Sequence, residues 1–253
     1  MTATVLTVAP PLARLTPEDA SHFEREGYAT LGPVVCEEKL QELDTYVTRM
    51  IADLPPGKRP EELDMPHPNH AFLREFCAQA CILDLVEPIL GPNIVHFASH
   101  FICKPKGNGK AVPWHQDSGY WTKLAPPRRV VTVWLAVDDS TVENGCMRVI
   151  PGTHKHVYEE YVPVDGNENV FKNSLDRKYI DETKIVNLEL PRGHCSLHDG
   201  WTIHGSNPNH SDKRRCGYTM RYFSVEQECL NKEHPLYLVR GEDRVGKNDY
   251  RKG

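Results

Sequence analysis

The spacing of the apolar residues changes at Pro92, and this change restricts the folds that the chain can adopt. Before Pro92, apolar residues recur at intervals of three and four, as in Leu40, Leu43 and Val47, which is typical of an amphipathic helix. After Pro92, short runs of β-branched and aromatic residues are separated by Gly, Pro or Asp, which is typical of strands. Helices followed by many short strands favour an α+β chain over alternating βαβ units, and the second part is expected to be a sandwich or a barrel.

Capping and breaking residues set the bounds of the predicted helices. The run Thr16-Pro17-Glu18-Asp19 is typical of a helix start and Gly27 of a helix end, so a short helix is predicted at 17–26. A second helix begins at Glu37 and ends before Pro55-Pro56, and one or two further helices are predicted within 71–90. The predicted strands are 94–103, 130–137, 147–150, 185–190, 195–197 and 218–224.

Length and composition predict a single intracellular domain. No stretch approaches the roughly 20 apolar residues of a membrane span, and no secretory leader is recognisable at the N-terminus. The net charge of -5 without a basic run argues against a nucleic-acid surface, and the eight cysteines lack the spacing of a disulfide framework. We therefore expect a cytoplasmic monomer or homodimer that acts on a small molecule, with neither nucleic-acid nor membrane partners. Its expected parts are a loose terminus (1–14), a mainly helical segment (15–91), a β-rich core (92–225) and a C-terminal extension (226–253).

The run His115-Gln116-Asp117 is the strongest candidate for chemistry. If one strand carries both His115 and Asp117, its period of two directs both side chains to one face and Gln116 to the other. Two histidines and one carboxylate form the ligand set that holds non-haem Fe(II) and leaves positions open for a co-substrate and O₂. The third ligand is expected in the histidine-rich segment 198–204, where His198 and His204 are both candidates.

Several motifs that accompany this triad resemble one family. In chain order they are Trp114-His115-Gln116-Asp117, Trp134-Leu135-Ala136, Asn144-Gly145, Ile150-Pro151-Gly152-Thr153-His154-Lys155, His204-Gly205-Ser206 with Asn209, Ser211 and Arg215 behind it, and Tyr218-Thr219-Met220-Arg221-Tyr222. Their order and spacing over residues 15–224 resemble the phytanoyl-CoA dioxygenase family of Fe(II)/2-oxoglutarate oxygenases.

The resemblance implies a double-stranded β-helix, also called a jelly roll or cupin-like fold, with the N-terminal helices packed on it. It implies that His115, Asp117 and His204 bind Fe(II), and it favours His204 over His198 because Gly-Ser and an arginine follow at the family's distances. It further implies that Arg215 and Ser206 bind the distal carboxylate of 2-oxoglutarate. A guanidinium suits that role because its planar fork grips a carboxylate with two hydrogen bonds.

Arg214 and Trp134 also bear on the expected co-substrate pocket. Arg214 precedes Arg215, and because adjacent residues of a strand face opposite ways, only one of the two can enter the barrel. The family spacing selects Arg215. Trp134 is expected to line the 2-oxoglutarate pocket, by its place in the strand that follows the His-x-Asp motif.

The implied reaction is oxidation of a C–H bond in a small metabolite or natural product by O₂, with decarboxylation of 2-oxoglutarate to succinate. Hydroxylation is the expected outcome, because Asp117 stands where related halogenases have a small residue that leaves room for chloride. Desaturation, epimerisation or ring closure stay open. One alternative is a cupin-like isomerase or hydrolase that uses the same triad without 2-oxoglutarate, and another is a non-catalytic binding module.

Substrate contacts are expected at the mouth of the barrel. Long connections within a compact domain often form lids or binding loops, so the segments 118–129 and 157–184 are candidates. The residues assigned tentatively to the substrate are Tyr120, Trp121, Trp201 and His100, with Asp199 beside Trp201. His96 and His100 are expected on one face of a strand, either near the substrate or as core histidines, and His154 is expected to pack in a turn rather than bind metal.

Overall fold

The computed structural model describes residues 11–252. Most of the predicted loose terminus, residues 1–10, therefore lies outside the described residues. The part that is described is attached to the domain, because the backbone N–H of Ala13 donates to the carbonyl oxygen of Pro33 at 2.6 Å.

The helices lie mainly in the first part of the chain, as predicted. The first is closed by a reciprocal hydrogen-bond pair between Thr16 and Asp19 and ends at Gly27, whose left-handed backbone (φ 82°) suits glycine. The segment 71–90 forms two helices. The helices are α1 (Pro17–Glu26), α2 (Glu37–Ala52), α3 (Ala71–Cys77), α4 (Ala80–Leu90) and α5 (Asp117–Tyr120), with short 3₁₀ turns at Pro60–Glu62, His67–Asn69, Thr153–Lys155, Arg177–Tyr179 and Glu182–Lys184.

The strands form three antiparallel sheets. They are β1 (Tyr28–Pro33), β2 (Ile94–Lys104), β3 (Val112–His115), β4 (Val131–Ala136), β5 (Met147–Val149), β6 (Tyr161–Pro163), β7 (Asn173–Leu175), β8 (Val186–Leu188), β9 (His194–Asp199), β10 (His204–Ser206), β11 (Arg215–Ser224) and β12 (Tyr237–Arg240). The six-stranded sheet has the order β1-β9-β4-β11-β2-β12, the four-stranded sheet has the order β3-β10-β5-β8, and β6 pairs with β7. Two facing antiparallel sheets with helices on one side give the expected α+β jelly roll.

The main core lies between the six-stranded sheet and the helices. Alternate residues of β11, such as Tyr218, Met220 and Tyr222, are buried there with apolar side chains of α2, α3 and α4. The opposite face of the same sheet meets the four-stranded sheet through Trp134, Ala136, Met147, Val149 and their neighbours. Because successive residues of a strand point to opposite faces, β11 builds the core with one set of residues and lines the space between the sheets with the other.

Several features depart from the expectations drawn from the sequence, among them two strands and an irregularity. Strand β1 lies within the segment expected to be mainly helical and pairs with β9. The C-terminal extension contributes β12, which pairs with β2 at the sheet edge. Strand β2 has an irregularity opposite Arg221 and Tyr222, and there the alternation of faces is interrupted, as expected at a bulge. His96 consequently contacts His67 and Tyr222 instead of sharing the inner face with His100.

None of the helices in the described range, 11–252, is long and apolar enough to cross a membrane.

Candidate active site

His115, Asp117 and His204 lie together between the two sheets. Their candidate ligand atoms are all within 4.8 Å of one another, and all three side chains are buried. His115 Nε2 lies 3.3 Å and His204 Nε2 lies 4.0 Å from Asp117 Oδ1. Strands β3 and β10 are paired with His115 directly opposite His204, so the sheet register itself brings the two imidazoles together. Two histidine nitrogens and one carboxylate oxygen facing a common point can hold a divalent metal.

The expectation that one strand carries both His115 and Asp117 is wrong, because β3 ends at His115 and Asp117 begins α5. The backbone of Gln116 stays extended, with φ -113° and ψ 121°. An extended residue reverses the side-chain direction at each step, so His115 and Asp117 still face the same point. Local backbone conformation, and not membership of one strand, positions the pair.

Hydrogen bonds set the tautomer of both imidazoles. His115 Nδ1 donates to the carbonyl oxygen of Pro113 at 2.8 Å, and His204 Nδ1 donates to the carbonyl oxygen of Thr202 at 3.0 Å. Neutral imidazole carries one N–H, so the Nε2 lone pair of each ring is left free on the side of Asp117. Metal-binding histidines commonly donate their other N–H to a carbonyl in this way.

The electrostatics of two of the three groups favour the forms that could bind a metal. Burial, and next the proximity of His115, lower the pKa of His204 well below its ordinary value, so this imidazole is neutral at pH 7. Burial opposes ionisation of Asp117, but the guanidinium of Arg221, with Nε 3.4 Å from Oδ2, is the main charge that holds the pKa of this carboxyl well below its usual range. Asp117 therefore presents a negative charge and His204 a neutral nitrogen donor.

Gln116 points away from the triad and connects three backbone segments. Its Nε2 donates to the carbonyl oxygens of His156 and Trp201, at 2.7 and 2.5 Å. Its Oε1 accepts from the N–H of Tyr158 at 2.9 Å. The residue between the two candidate ligands thus attaches their backbone to the loop after Thr153–Lys155 and to the turn before β10.

Arg215 lies in the same cavity and is 1% exposed. Its guanidinium carbon is 5.4 Å from the centre of the Trp134 ring, and its Nε and Nη2 atoms are buried without an acceptor among residues 11–252. Burial lowers the pKa of Arg215 to about 10, so the group is still charged at neutral pH. A buried cation without partners is costly, so this fork is suited to an anion that enters the cavity. Ser206 and Trp134 line the same space.

Arg214 faces the other side of the sheet. Its guanidinium binds Asp138 through Nε at 2.7 Å and Asp44 of α2 through Nη2 at 2.7 Å. The alternation expected of two adjacent strand residues is therefore observed, and Arg215 is the one that enters the barrel.

His198 lies beside the triad. Its Nε2 is 3.7 Å from Asp117 Oδ2, its ring is 4.6 Å from that of His204, and neither of its ring nitrogens has a hydrogen-bond partner among the described residues. His198 thus approaches Oδ2 of Asp117, whereas His115 and His204 face Oδ1. His204 and His198 are thus both near Asp117, but the tighter three-residue cluster contains His204.

Two of the four residues assigned to the substrate lie next to the cavity. His100 lines it, with Nε2 donating to the carbonyl oxygen of Glu61 at 3.1 Å. Tyr120 is 44% exposed at the mouth, and its ring centre is 5.9 Å from that of His115. These positions suit contact with a bound molecule.

Trp121 and Trp201 lie outside the cavity lining. Trp121 packs edge-on against Phe97 and beneath the guanidinium of Arg221, so it supports a lining residue. The indole N–H of Trp201 donates to the carbonyl oxygen of Pro127 at 2.9 Å and holds the segment 118–129 in place. His154 lies in the turn Thr153–Lys155, as expected, and its Nε2 donates to the carbonyl oxygen of Glu24 at 3.2 Å.

Arg221 and Phe171 also line the cavity, and no role was assigned to either of them from the sequence. Arg221 is on the inner face of β11, and its even spacing from Arg215 is the signal that would have found it. Phe171 comes from the long segment 157–184, and its ring lies edge-on to that of His115 at 5.1 Å. An aromatic residue in a charged segment is a weak signal, because only the folded hairpin of β6 and β7 brings it to the site.

Known proteins resemble this chain in sequence and in structure. A curated relative from Caenorhabditis elegans, named probable phytanoyl-CoA dioxygenase, is 31% identical over 180 residues, which cover 64% of this chain and 57% of the relative. A relative from Stutzerimonas stutzeri, named probable alpha-ketoglutarate-dependent hypophosphite dioxygenase, is 34% identical over 157 residues, which cover 60% of this chain and 53% of the relative. The chain thus spans little more than half the length of these relatives.

A solved structure described as the non-heme monooxygenase ThoJ in its apo form is also similar. It superposes with a TM-score of 0.74 at 25% identity, over 92% of this chain and 87% of that one. The family described as phytanoyl-CoA dioxygenase (PhyH) matches residues 23–217, which include every candidate ligand and Arg215. This chain therefore belongs to the phytanoyl-CoA dioxygenase family.

Proposed function

We propose that the protein is an Fe(II)/2-oxoglutarate-dependent dioxygenase that oxidises a C–H bond of a small metabolite or natural product, with hydroxylation as the expected outcome. The observation that carries the proposal is the pairing of two features in one cavity. One is the His115, Asp117 and His204 cluster, and the other is the buried Arg215 fork without an acceptor among the described residues. The family membership and the name of the Stutzerimonas stutzeri relative support the same chemistry.

The residues present fit both groups. His115 and His204 offer Nε2 lone pairs and Asp117 offers a carboxylate, a donor set suited to Fe(II). Arg215 would bind the distal carboxylate of 2-oxoglutarate, with Ser206 and Trp134 beside it. When bound, Fe(II) and 2-oxoglutarate supply the oxidation by O₂ that is coupled to decarboxylation to succinate.

The residues of this chain would hold the metal and the co-substrate and shield the cavity from water. The carbonyl oxygens of Pro113 and Thr202 fix the orientation of the two imidazoles, and Arg221 keeps Asp117 ionised. Phe171 and Trp134 line the cavity with aromatic rings, which would leave less room for water. A dry, preorganised cavity is what the protein contributes to cofactor chemistry of this kind.

An anaerobic titration of the Fe(II)-loaded protein with 2-oxoglutarate tests the proposal. We expect a weak visible charge-transfer band in the wild type, and in Arg215→Ala we expect the half-saturating concentration of 2-oxoglutarate to rise roughly 10- to 100-fold, the loss expected when a charged hydrogen-bond donor is removed. Arg214→Ala is the matched control, because its side chain faces Asp44 and Asp138, and its titration should match that of the wild type.

The result that would overturn the proposal is the absence of the band in folded, iron-loaded wild type. In that case the cupin-like isomerase or hydrolase would become the leading function. Succinate formation by the wild type that is abolished in His204→Ala would support the proposal independently of the band. The cytoplasmic location, the monomeric or homodimeric state and the single-domain organisation stay predictions from the sequence.

A further inference from the structure

Arg221 is a second cation in the cavity. The proposed binding of 2-oxoglutarate by Arg215 leaves Arg221 without a role. It lies six positions after Arg215 on β11, on the same face of the strand, so the two α-carbons are roughly 20 Å apart. Strand β11 therefore supplies two guanidinium groups to the cavity from well separated positions. Arg215 lies beside Trp134, whereas Arg221 lies beside Asp117.

The contacts of Arg221 leave most of its hydrogen-bonding capacity free. The side chain is 11% exposed, and its Nε is 3.4 Å from Asp117 Oδ2. Its guanidinium carbon lies 5.4 Å from the centre of the Trp121 ring, which supports one face of the fork. Among residues 11–252, Asp117 is the one acceptor that it reaches, so both terminal nitrogens lack a protein partner. A buried fork with free terminal N–H groups is suited to a ligand carboxylate.

The charge balance of the cavity points the same way. Asp117 is the one carboxylate among the described residues that line it, whereas Arg215 and Arg221 both line it as cations. Fe(II) adds two positive charges and 2-oxoglutarate two negative ones. With the histidines counted as neutral, the loaded site keeps one net positive charge. An uncompensated charge in a buried site is costly, and a monoanion would remove it.

Neighbouring polar groups do not neutralise this charge. Lys104, which pairs with Arg215 in the sheet register, lies outside the cavity lining and donates to the carbonyl oxygens of Lys110 and Asn207. Thr219, which lies between the two arginines on the same face of β11, donates its hydroxyl to the carbonyl oxygen of His100 at 3.0 Å. Neither group offers Arg221 an anion.

We propose that Arg221 binds a carboxylate of the substrate, and that the substrate is consequently a small monocarboxylic acid. This inference rests on the proposed function, because the charge balance includes Fe(II) and 2-oxoglutarate. The acid would sit beside Asp117, with Trp121 holding the guanidinium in place and His100 and Tyr120 near the bound molecule. Arg221 is thus a substrate-binding residue that sets specificity for an acid over its neutral analogues.

The test compares an acid with its amide. Butanoate and butanamide are each titrated anaerobically into protein saturated with Fe(II) and 2-oxoglutarate, and binding is followed by the change in tryptophan fluorescence and in the charge-transfer band. We expect the wild type to prefer butanoate. In Arg221→Gln the dissociation constant for butanoate should rise roughly 10- to 100-fold, as expected for loss of a charged hydrogen bond, while that for butanamide stays the same.

Two further variants make the result decisive. Arg221→Lys keeps the charge and loses the fork, so it should retain part of the preference and decides the question if Arg221→Gln does not fold. Arg129→Gln is the matched control, since this arginine is 49% exposed and pairs with Glu24 at the surface, and it should behave as the wild type.

The inference is overturned if the wild type fails to distinguish butanoate from butanamide, or if Arg221→Gln binds butanoate as the wild type does. Both outcomes are read with the charge-transfer band present, so they leave the proposed function intact. Absence of the band in the wild type itself would instead mean that the proposed function has failed.

Discussion

At the scale of single residues, a glycine makes room for Trp134, the tryptophan beside Arg215. A Cβ atom built on Gly217 of β11 would lie 2.1 Å from Cζ2 of Trp134 on the neighbouring strand, far inside van der Waals contact. The backbone of Gly217 is not left-handed, so it is space and not conformation that requires glycine there. The indole lies against Arg215, and any shift of the ring is transmitted to that guanidinium.

We expect Gly217→Ala to lower the free energy of unfolding by about 1–3 kcal/mol, the usual cost of overpacking a core. It should also weaken 2-oxoglutarate binding, because the displaced indole disturbs Arg215. Urea denaturation and the anaerobic 2-oxoglutarate titration measure the two effects. Gly32→Ala is the matched control, since a Cβ on this strand glycine would meet no atom within 4 Å.

A second substitution separates crowding from other effects of Gly217→Ala. The double variant Gly217→Ala, Trp134→Phe has a smaller ring beside the new methyl group. It should recover part of the lost stability, and a double variant less stable than the sum of its two single changes would contradict the steric explanation.

At the scale of elements, the junction of β3 and α5 positions two of the candidate ligands, His115 and Asp117. The strand ends at His115 because Asp117 begins a short helix, and the extended Gln116 between them supplies the correct side-chain directions. Gln116 also holds the junction to the rest of the barrel through three hydrogen bonds to backbone groups of other segments. One buried amide therefore connects elements that are distant in sequence.

Gln116→Glu tests this role with almost no change of shape. A carboxylate cannot donate to the carbonyl oxygens of His156 and Trp201, so we expect the free energy of unfolding to fall by about 2–4 kcal/mol. Gln41→Glu, the same chemical change on a surface glutamine of α2 beside Arg192, should have little effect. Denaturation curves that coincide for Gln116→Glu and the wild type would show that the connection contributes nothing to stability.

At the scale of the whole molecule, His67, His96 and His234 are buried within or close to β2, the strand next to the edge strand β12. Burial is the largest cause that lowers the pKa of His67 to about 2, of His96 to about 3 and of His234 to about 4. In the unfolded chain each of these imidazoles binds a proton near pH 6.5, whereas in the folded protein they stay neutral at that pH. Acidification therefore stabilises the unfolded state.

We expect the free energy of unfolding of the metal-free protein to be nearly constant above pH 6.5 and to fall as the pH drops below it, towards the folded-state pKa values. Each of these histidines contributes a slope of up to about 1.4 kcal/mol per pH unit. Urea denaturation at pH 7.5, 6 and 5 measures this loss. His96→Phe, which removes a buried ring nitrogen without a partner among the described residues, should reduce the slope, and an unchanged slope would contradict the assignment.

Local patterns in the sequence were sufficient for the four helices before Pro92, half of the strands and the candidate metal ligands. Caps such as Thr16 and Gly27, and β-branched runs such as those of β2 and β4, act within a few residues, so their structural outcome follows from neighbours in the chain. The order of the motifs around His115, Asp117, His204 and Arg215 identified the family, which the match over residues 23–217 confirms.

The tertiary structure decided what depends on pairs of residues far apart in the chain. The pairing of β1 with β9, the irregularity that turns His96 away from His100, and the approach of Arg221 to Asp117 all join segments separated by many tens of residues. The same holds for Phe171, which reaches His115 only through the hairpin of β6 and β7. By itself the sequence determined the helices before Pro92, half of the strands, the family and the candidate ligands, because those signals are local or ordered along the chain. Which side chains share the cavity depends on strand register and packing, for which no single segment carries a signal.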